Sequence, residues 1–468
     1  MSGPGRTAAG LFAAAALVRL GFWFFSGYTA DDAFITFRYA ENLASGNGFV
    51  YNPGERVLGT TTPLFTLLLA ITTLLRIPII YAALIISLVA SGLTVVYLYK
   101  FSRALRFTHF AILPALLYIA WPRSITTDIS GMESALFTLF VTAAFYYQHK
   151  RQEVYALGLA TLATVTRPEG LGLLGLLLVY NLYRDRSLWL RYLITPLIIL
   201  GPWLIFAWFY FGSPIPNSVV AKLALYSRFG TMPPLEAFSY LFGLHTLLGW
   251  LILPLFPLGV WIIDKKQNAG RLEATWIVAT LLFYTFSRTH IFHWYITPIY
   301  PVMMLFVAAG IQYLLELLRM PSSRVRVLNT AAALLILAGL SVGIYRQALY
   351  YKDYQTTLEQ IHRAIGHFLH AETEPDARVA AEDIGYMGYY SKRRILDRDG
   401  LVSPEAIPYN RDGRYLDLLT EQRPDYLVAA LVSSTTPFME DQRFTLAFEE
   451  LKRFPYRTQE YRVYKRRS

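Results

Sequence analysis

The chain has 468 residues, of which 54% are hydrophobic and 16% charged, and its mean hydropathy is +0.36. Soluble domains carry nearer a quarter charged residues, so this composition excludes one and points to a polytopic membrane protein. With no cysteine, disulfides, thiolate metal sites and a cysteine nucleophile are excluded too. The net charge of +11 sits in one part: residues 348–468 hold 18 Lys and Arg against 19 Asp and Glu, leaving 25 basic and 13 acidic residues ahead of them. A surplus confined to the apolar part reads as a membrane-orientation signal, not as nucleic-acid binding.

Arg6 followed by an apolar run resembles a signal peptide. Cleavage after Gly27 or Ala30 would put Phe25 or Tyr28 where a small residue is needed, so Ala8–Phe25 is expected to remain as the first span. Just beyond it stand two adjacent carboxylates, Asp31 and Asp32, conspicuous in a region so poor in acids. If residues 29–44 are helical, the 3.6-residue period puts Asp31, Arg38 and Asn42 on one face and Asp32, Thr36 and Tyr39 on another. Phe34 and Phe37 are then expected to dip into lipid. The alternative is that Thr29 caps this helix and both acids merely sit in its first turn.

Basic clusters set the topology. They are Arg6; Lys100, Arg103 and Arg106; Lys150 and Arg151; Arg184, Arg186 and Arg191; Lys265, Lys266 and Arg271; and Arg319, Arg324 and Arg326. If all face the cytoplasm, neighbouring clusters enclose an even number of spans. The segment 63–75, followed directly by Arg76, is therefore expected to lie at the interface as a juxtamembrane helix. Residues 79–99 form the second span. Further spans are expected at 110–121, 134–148, 154–166, 171–183, 192–211, 238–263, 274–286, 295–318 and 327–344. That makes about eleven, with the N-terminus cytoplasmic, a first outer loop over 26–78 and the C-terminus outside. Residues 348–468 read as a small extracytoplasmic α/β domain, with a helix over 352–370 and short buried strands at 378–381, 394–396 and 426–431.

On this topology further charges gather on the outer side: Glu133, Arg167 with Glu169, Lys222 after Pro216-Asn217, and His290, His293, Trp294 and Tyr295. Mutual pairing of Arg167 with Glu169, and an interfacial aromatic belt for the histidines and aromatics, are the structural alternatives. The chain has no P-loop, Rossmann fingerprint, H-E-x-x-H or nucleophile elbow.

The run from Asp31 to Leu43, continued by Gly46-Asn47-Gly48-Phe49-Val50-Tyr51-Asn52-Pro53-Gly54-Glu55-Arg56-Val57, resembles the first outer loop of the GT-C class of integral-membrane glycosyltransferases. It is most similar to bacterial arabinofuranosyltransferase-like members. Ser130-Gly131-Met132-Glu133-Ser134, Thr166-Arg167-Pro168-Glu169-Gly170, Pro216–Lys222, Asp383–Tyr390 and Leu396–Leu401 extend the likeness nearly end to end. Gly59-Thr60-Thr61-Thr62-Pro63 departs from arabinofuranosyl relatives, which often carry a tyrosine or tryptophan near the threonine, and this weakens a claim to arabinose.

The resemblance implies a GT-C fold: a transmembrane catalytic domain over 1–347 with juxtamembrane helices on its outer face, and the α/β domain over 348–468. It implies an enzyme of a bacterial cytoplasmic membrane that moves one sugar from a polyprenyl-phosphate donor to a glycan, lipid or protein acceptor of the cell envelope. Asp31, or else Asp32, would be the base; Arg38, Arg167 and Lys222 would stabilise the donor phosphate. Glu133, Glu169, Asn217, His293 and Tyr295 would position substrate. A divalent cation on the acid pair is left open by the residue types. The rival reading is a transporter or flippase of lipid-linked sugars, for which internal repeats of spans would be expected and none is found.

Overall fold

The computed structural model describes residues 3–107, 111–229, 232–242, 247–287, 290–317, 339–431, 437–456 and 459–467. They form two compact units. The first contains residues 1–27, 83–203 and 232–351; the second contains residues 28–82, 204–231 and 352–468. The tail thus folds with the first loop and residues 204–231, where the sequence suggested a tail domain starting at residue 348.

The first unit is built from apolar helices. Among the described residues, Pro4–Ser26, Ile79–Ala104, Arg186–Phe211 and His293–Leu317 are long and apolar enough to cross a membrane. Glu153–Thr166 and Gly170–Arg184 are shorter apolar helices that fall close to their expected ranges, and the chain is a multi-pass membrane protein. The segment expected to span at 110–121 is different. It holds a seven-residue helix, Leu113–Ile119, and then a second one, Pro122–Asp128, with prolines opening both. Seven residues rise only about 10 Å, a third of the hydrocarbon core. Of the long span expected over 238–263, the described residues form the helices Pro234–Phe242 and Leu247–Gln267. Most of the last expected span, 327–344, lies outside the described residues.

Helices 247–267 and 300–317 approach backbone to backbone. A Cβ on Gly259 would fall 1.8 Å from the Phe306 carbonyl oxygen, so only hydrogen fits there. The first unit also buries charge. Arg19 of the first helix donates to Asp128 at 2.7 Å, and both side chains are fully buried. Ser91 and Tyr118 donate to the same carboxylate.

In the second unit, helices Asp31–Ala44 and Pro63–Leu74 fall where the sequence put them. The tail carries a five-stranded sheet in the order β2-β1-β3-β5-β4. β1 (Arg378–Ala381) runs parallel to β2 (Arg394–Asp397) and β3 (Tyr426–Ala430), matching the expected strands within a residue. β4 (Phe448–Tyr456) and β5 (Gln459–Arg466) form an antiparallel pair that the sequence reading missed. Ala380, Leu396, Leu427 and Tyr464 pack with Leu418, Leu419, Phe444 and Phe448 into a core on one side. The helix Gln360–Glu372, entered through a π-helical turn at Gln355–Glu359, buries His362, Ile365, Gly366 and Leu369, a 3.6-period stripe.

Candidate active site

The acid pair opens the Asp31–Ala44 helix. Its N-cap is Ala30, with no side-chain capping bond, so Thr29 does not cap it. Asp31 instead caps another helix. Its carboxylate accepts the backbone N–H of Gly385 at 3.0 Å and of Tyr386 at 2.8 Å, in the first turn of Ile384–Ser391. At the other end of that helix, Arg38 donates to the carbonyls of Gly388 and Arg393, both at 2.6 Å. Its remaining bonds go to the Tyr51 carbonyl at 2.8 Å and to Asn52 Oδ1 at 3.2 Å. Seven residues separate Asp31 from Arg38, about 10 Å along a helix, which suits an eight-residue partner of about 12 Å. An anion at the N-terminus and a cation at the C-terminus also match that partner's dipole.

Two glycines permit this approach. A Cβ on Gly385 would lie 2.0 Å from the Asp31 carbonyl oxygen, and one on Gly388 would lie 1.8 Å from the Tyr51 hydroxyl. Between them Phe34 stacks on Tyr386, with ring centroids 3.9 Å apart, and Phe37 meets Tyr389. Both phenylalanines are 0% exposed, which corrects the expectation that they dip into lipid. A buried aromatic partner replaces the acyl chains.

Around the acids stand groups from the tail. His362 is 2% exposed; its Nδ1 lies 3.8 Å from Asp31 and its Nε2 lies 3.6 Å from Asp383. Tyr461 on β5 lies 3.0 Å from the same Nε2, and its hydroxyl donates to Asp383 at 3.3 Å. Burial alone would lower the His362 pKa, but Asp31 and Asp383 outweigh it and hold it above 6.5. Asp399 is pushed up to about 6, chiefly by burial; Arg398 and Lys222 oppose the rise, while Asp383 and Asp32 add to it. Asp32, Asp383, Asp399 and Lys222 therefore act on one electrostatic neighbourhood. Asn217, at the start of the helix that carries Lys222, donates to the carbonyls of Gly400 at 2.6 Å and Leu401 at 3.0 Å. It anchors the loop that follows Asp399.

The other expected residues belong to the first unit. Arg167 donates to Glu133 at 2.7 Å and to Glu169 at 2.8 Å, and its guanidinium lies 5.6 Å from the Tyr295 ring centroid. Tyr295 stacks on Tyr284, whose hydroxyl donates to Glu169 at 3.4 Å. Glu133, Arg167, Glu169 and Tyr295 thus come together as one cluster. His293 stands apart from it, with its Nε2 3.4 Å from the Tyr351 hydroxyl.

Among the described residues no group of three or more His, Asp or Glu side chains is arranged to hold a metal ion. His362 meets Asp31 and Asp383 through different ring nitrogens, so these three cannot converge on one cation. The residues that sequence reasoning missed are His362, Asp383 and Asp399. The last two lie in segments noted for their likeness to glycosyltransferases, but nothing local marks them as partners of the first loop.

A family model described as a domain of unknown function, DUF8728, matches residues 347–464. The terminal beta-(1->2)-arabinofuranosyltransferase of Mycobacterium tuberculosis (strain ATCC 25618 / H37Rv) is 30% identical over 274 residues. That match covers 53% of this chain and 42% of the mycobacterial protein, so the chain spans less than half the length of this curated relative. The crystal structure of ArnT from Cupriavidus metallidurans bound to undecaprenyl phosphate is similar over 99% of this chain and 98% of ArnT, with a TM-score of 0.62 and 13% identity. The mycobacterial arabinofuranosyltransferase AftD is similar over 99% of this chain and 40% of AftD, with a TM-score of 0.54 and 15% identity. The chain has the GT-C fold of these membrane proteins.

Proposed function

We propose that the protein is a glycosyltransferase that moves a single sugar from a polyprenyl-phosphate donor to a glycan, lipid or protein acceptor at the outer face of a bacterial cytoplasmic membrane. The observation that carries this reading is the surplus of carboxylates around the first-loop helix, with Asp32, Asp383 and Asp399 within electrostatic reach of one another and Lys222 within reach of Asp399. The likeness to ArnT, whose structure holds undecaprenyl phosphate, supports the donor class.

Asp32 is assigned as the base. The two amide bonds to Asp31 give that carboxylate a fixed structural task, and Asp32 points about 100° around the helix from it. Asp32 takes the proton of the acceptor hydroxyl as its oxygen bonds to the anomeric carbon. The bond from that carbon to the phosphate oxygen breaks, and the polyprenyl phosphate leaves with the electron pair. Lys222 stabilises the departing phosphate. Arg38 is assigned to docking the tail helix, since four acceptors already engage its guanidinium. Arg167 is assigned as a brace held between Glu133 and Glu169. Asn217 fixes the loop beside Asp399, and His293 and Tyr295 are assigned to positioning substrate. Transfer assayed with and without a chelator tests whether the acid pair holds a divalent cation.

The N-terminus is assigned to the cytoplasm and the tail to the outside. Thiol labelling of single cysteines in this cysteine-free chain tests that orientation. Activity is tested with radiolabelled polyprenyl-phosphate sugars and purified protein. Transfer by the wild type that is lost in Asp32→Asn supports the assignment; undiminished transfer in Asp32→Asn rejects it.

A further inference from the structure

We propose that His362 is a positioning residue of the acid pair, wedged between Asp31 and Asp383 so that Asp31 stays locked on the Ile384–Ser391 helix and Asp32 keeps the orientation of a base. The role rests on the glycosyl-transfer reading above, and the hydrogen-bond pattern around the imidazole supports it. Nε2 lies 3.0 Å from the Tyr461 hydroxyl, and when that hydroxyl's single proton goes to Asp383, Nε2 is the donor to its oxygen. Nδ1 has no hydrogen-bond partner and faces an Asp31 oxygen at 3.8 Å. A lone pair there would repel the carboxylate, whereas an N–H attracts it. The imidazolium, with a proton on both nitrogens, serves both carboxylates at once: Nδ1–H faces Asp31, and Nε2–H leaves the Tyr461 proton for Asp383.

The other groups facing the ring are consistent with that cation. The Asp31–Ala44 helix contributes Asp31, the turn before the Ile384–Ser391 helix contributes Asp383, and β5 contributes Tyr461. On the histidine's own helix, Arg363 is turned onto the rings of Tyr386 and Tyr390, at 5.6 and 5.2 Å. Glu359, one turn earlier, is 0% exposed, and burial pushes its carboxyl up to about 9, so near pH 7 it is neutral and does not compete for the imidazolium. The clamp joins three segments distant in sequence at the residue preceding Asp32. A change in its charge reaches the base through the backbone of one helix turn.

A histidine with a raised folded pKa gives stability that is complete below its unfolded pKa, about 6.5, and is lost as pH rises through the folded value. The test uses full-length protein in detergent, with wild type, His362→Gln, His362→Lys and Asp383→Asn compared from about pH 5 to 9. In His362→Gln the expected loss of kcat is about tenfold or more at low pH, with KM for the lipid donor within about twofold. The alkaline fall in wild-type rate disappears in this variant. His362→Lys recovers part of the rate, without a limb in that range. Asp383→Asn moves the limb to lower pH, and it serves as the readout if His362→Gln does not fold. An unchanged pH–rate profile in His362→Gln overturns the role, as does an unmoved limb in Asp383→Asn.

If the wild type transfers no sugar, the glycosyltransferase reading fails and thermal unfolding still reads the clamp. The gap in Tm between wild type and His362→Gln should shrink as pH rises. A gap independent of pH overturns the clamp itself.

Discussion

The two units treat charge in opposite ways. In the first, buried arginines meet carboxylates side chain to side chain: Arg19 with Asp128, and Arg167 with Glu133 and Glu169. In the second, the buried arginine of the first loop, Arg38, is satisfied mainly by backbone carbonyls, and the nearby acids are not used to balance it. Pairing within a membrane offsets desolvation and fixes which helices meet. Satisfying an arginine with neutral dipoles leaves carboxylates to act on something else. The difference separates a scaffold from a reactive centre, and variants can test it.

The largest effect is expected at the reactive centre. Asp32→Asn should lower transfer by about 10²- to 10⁴-fold with unchanged thermal unfolding, as removal of a general base does. A matching loss of Tm would place Asp32 in the scaffold instead. Next is the scaffold pair. Asp128→Asn or Arg19→Met alone should cost about 3–5 kcal/mol by leaving one buried charge uncompensated, whereas Arg19→Met combined with Asp128→Leu should recover most of it. Denaturant unfolding of the three variants decides this, and a double variant no better than the singles would show that the pair contributes more than charge balance.

Smaller again is Gly388→Ala, whose new methyl would collide with the Tyr51 hydroxyl; about 1–3 kcal/mol is expected, read as a lowered Tm together with weakened transfer. A change of similar size should be favourable. Glu359 is buried, and burial pushes its carboxyl up to about 9 despite the nearby Tyr386 hydroxyl. A group raised in this way subtracts stability as pH climbs from its unfolded pKa through its folded one. Glu359→Gln should therefore match wild type near pH 4 and exceed it by about 1–3 kcal/mol at neutral pH. Parallel Tm curves across that range would contradict the burial argument.

Much of this organisation could be read from the sequence. Basic clusters and apolar runs located most helices, and helical phase put Asp31 and Arg38 on one face. The phase gave the face without its occupant. The helix that Asp31 and Arg38 grip lies some 350 residues away, and no periodicity in a single chain reports on such a partner. The segment 110–121 has the apolar content of a span, yet Pro114 and Pro122 each help open a new short helix there. β4 and β5 escaped because charged runs, such as Glu449-Glu450 and Lys452-Arg453 on the edge strand β4 and Lys465-Arg466 on β5, blur the period-two pattern. Asp383 and His362 lacked a local signature, since their significance comes from Asp31.

The grip of Arg38 on Gly388 also sets a schedule for biosynthesis. The two residues are 350 positions apart, and ribosomes add about 5–20 residues per second, so the first-loop helix waits about 20–70 s for the segment that covers Phe34 and caps the pair. During that interval two phenylalanines and a guanidinium lack their final neighbours. A fragment limited to residues 347–464 has the complementary problem: it carries the short helix without the carboxylate and guanidinium that hold its two ends. Nascent chains stalled before residue 384 should therefore be protease-sensitive in the first loop, and release of the full tail should protect it.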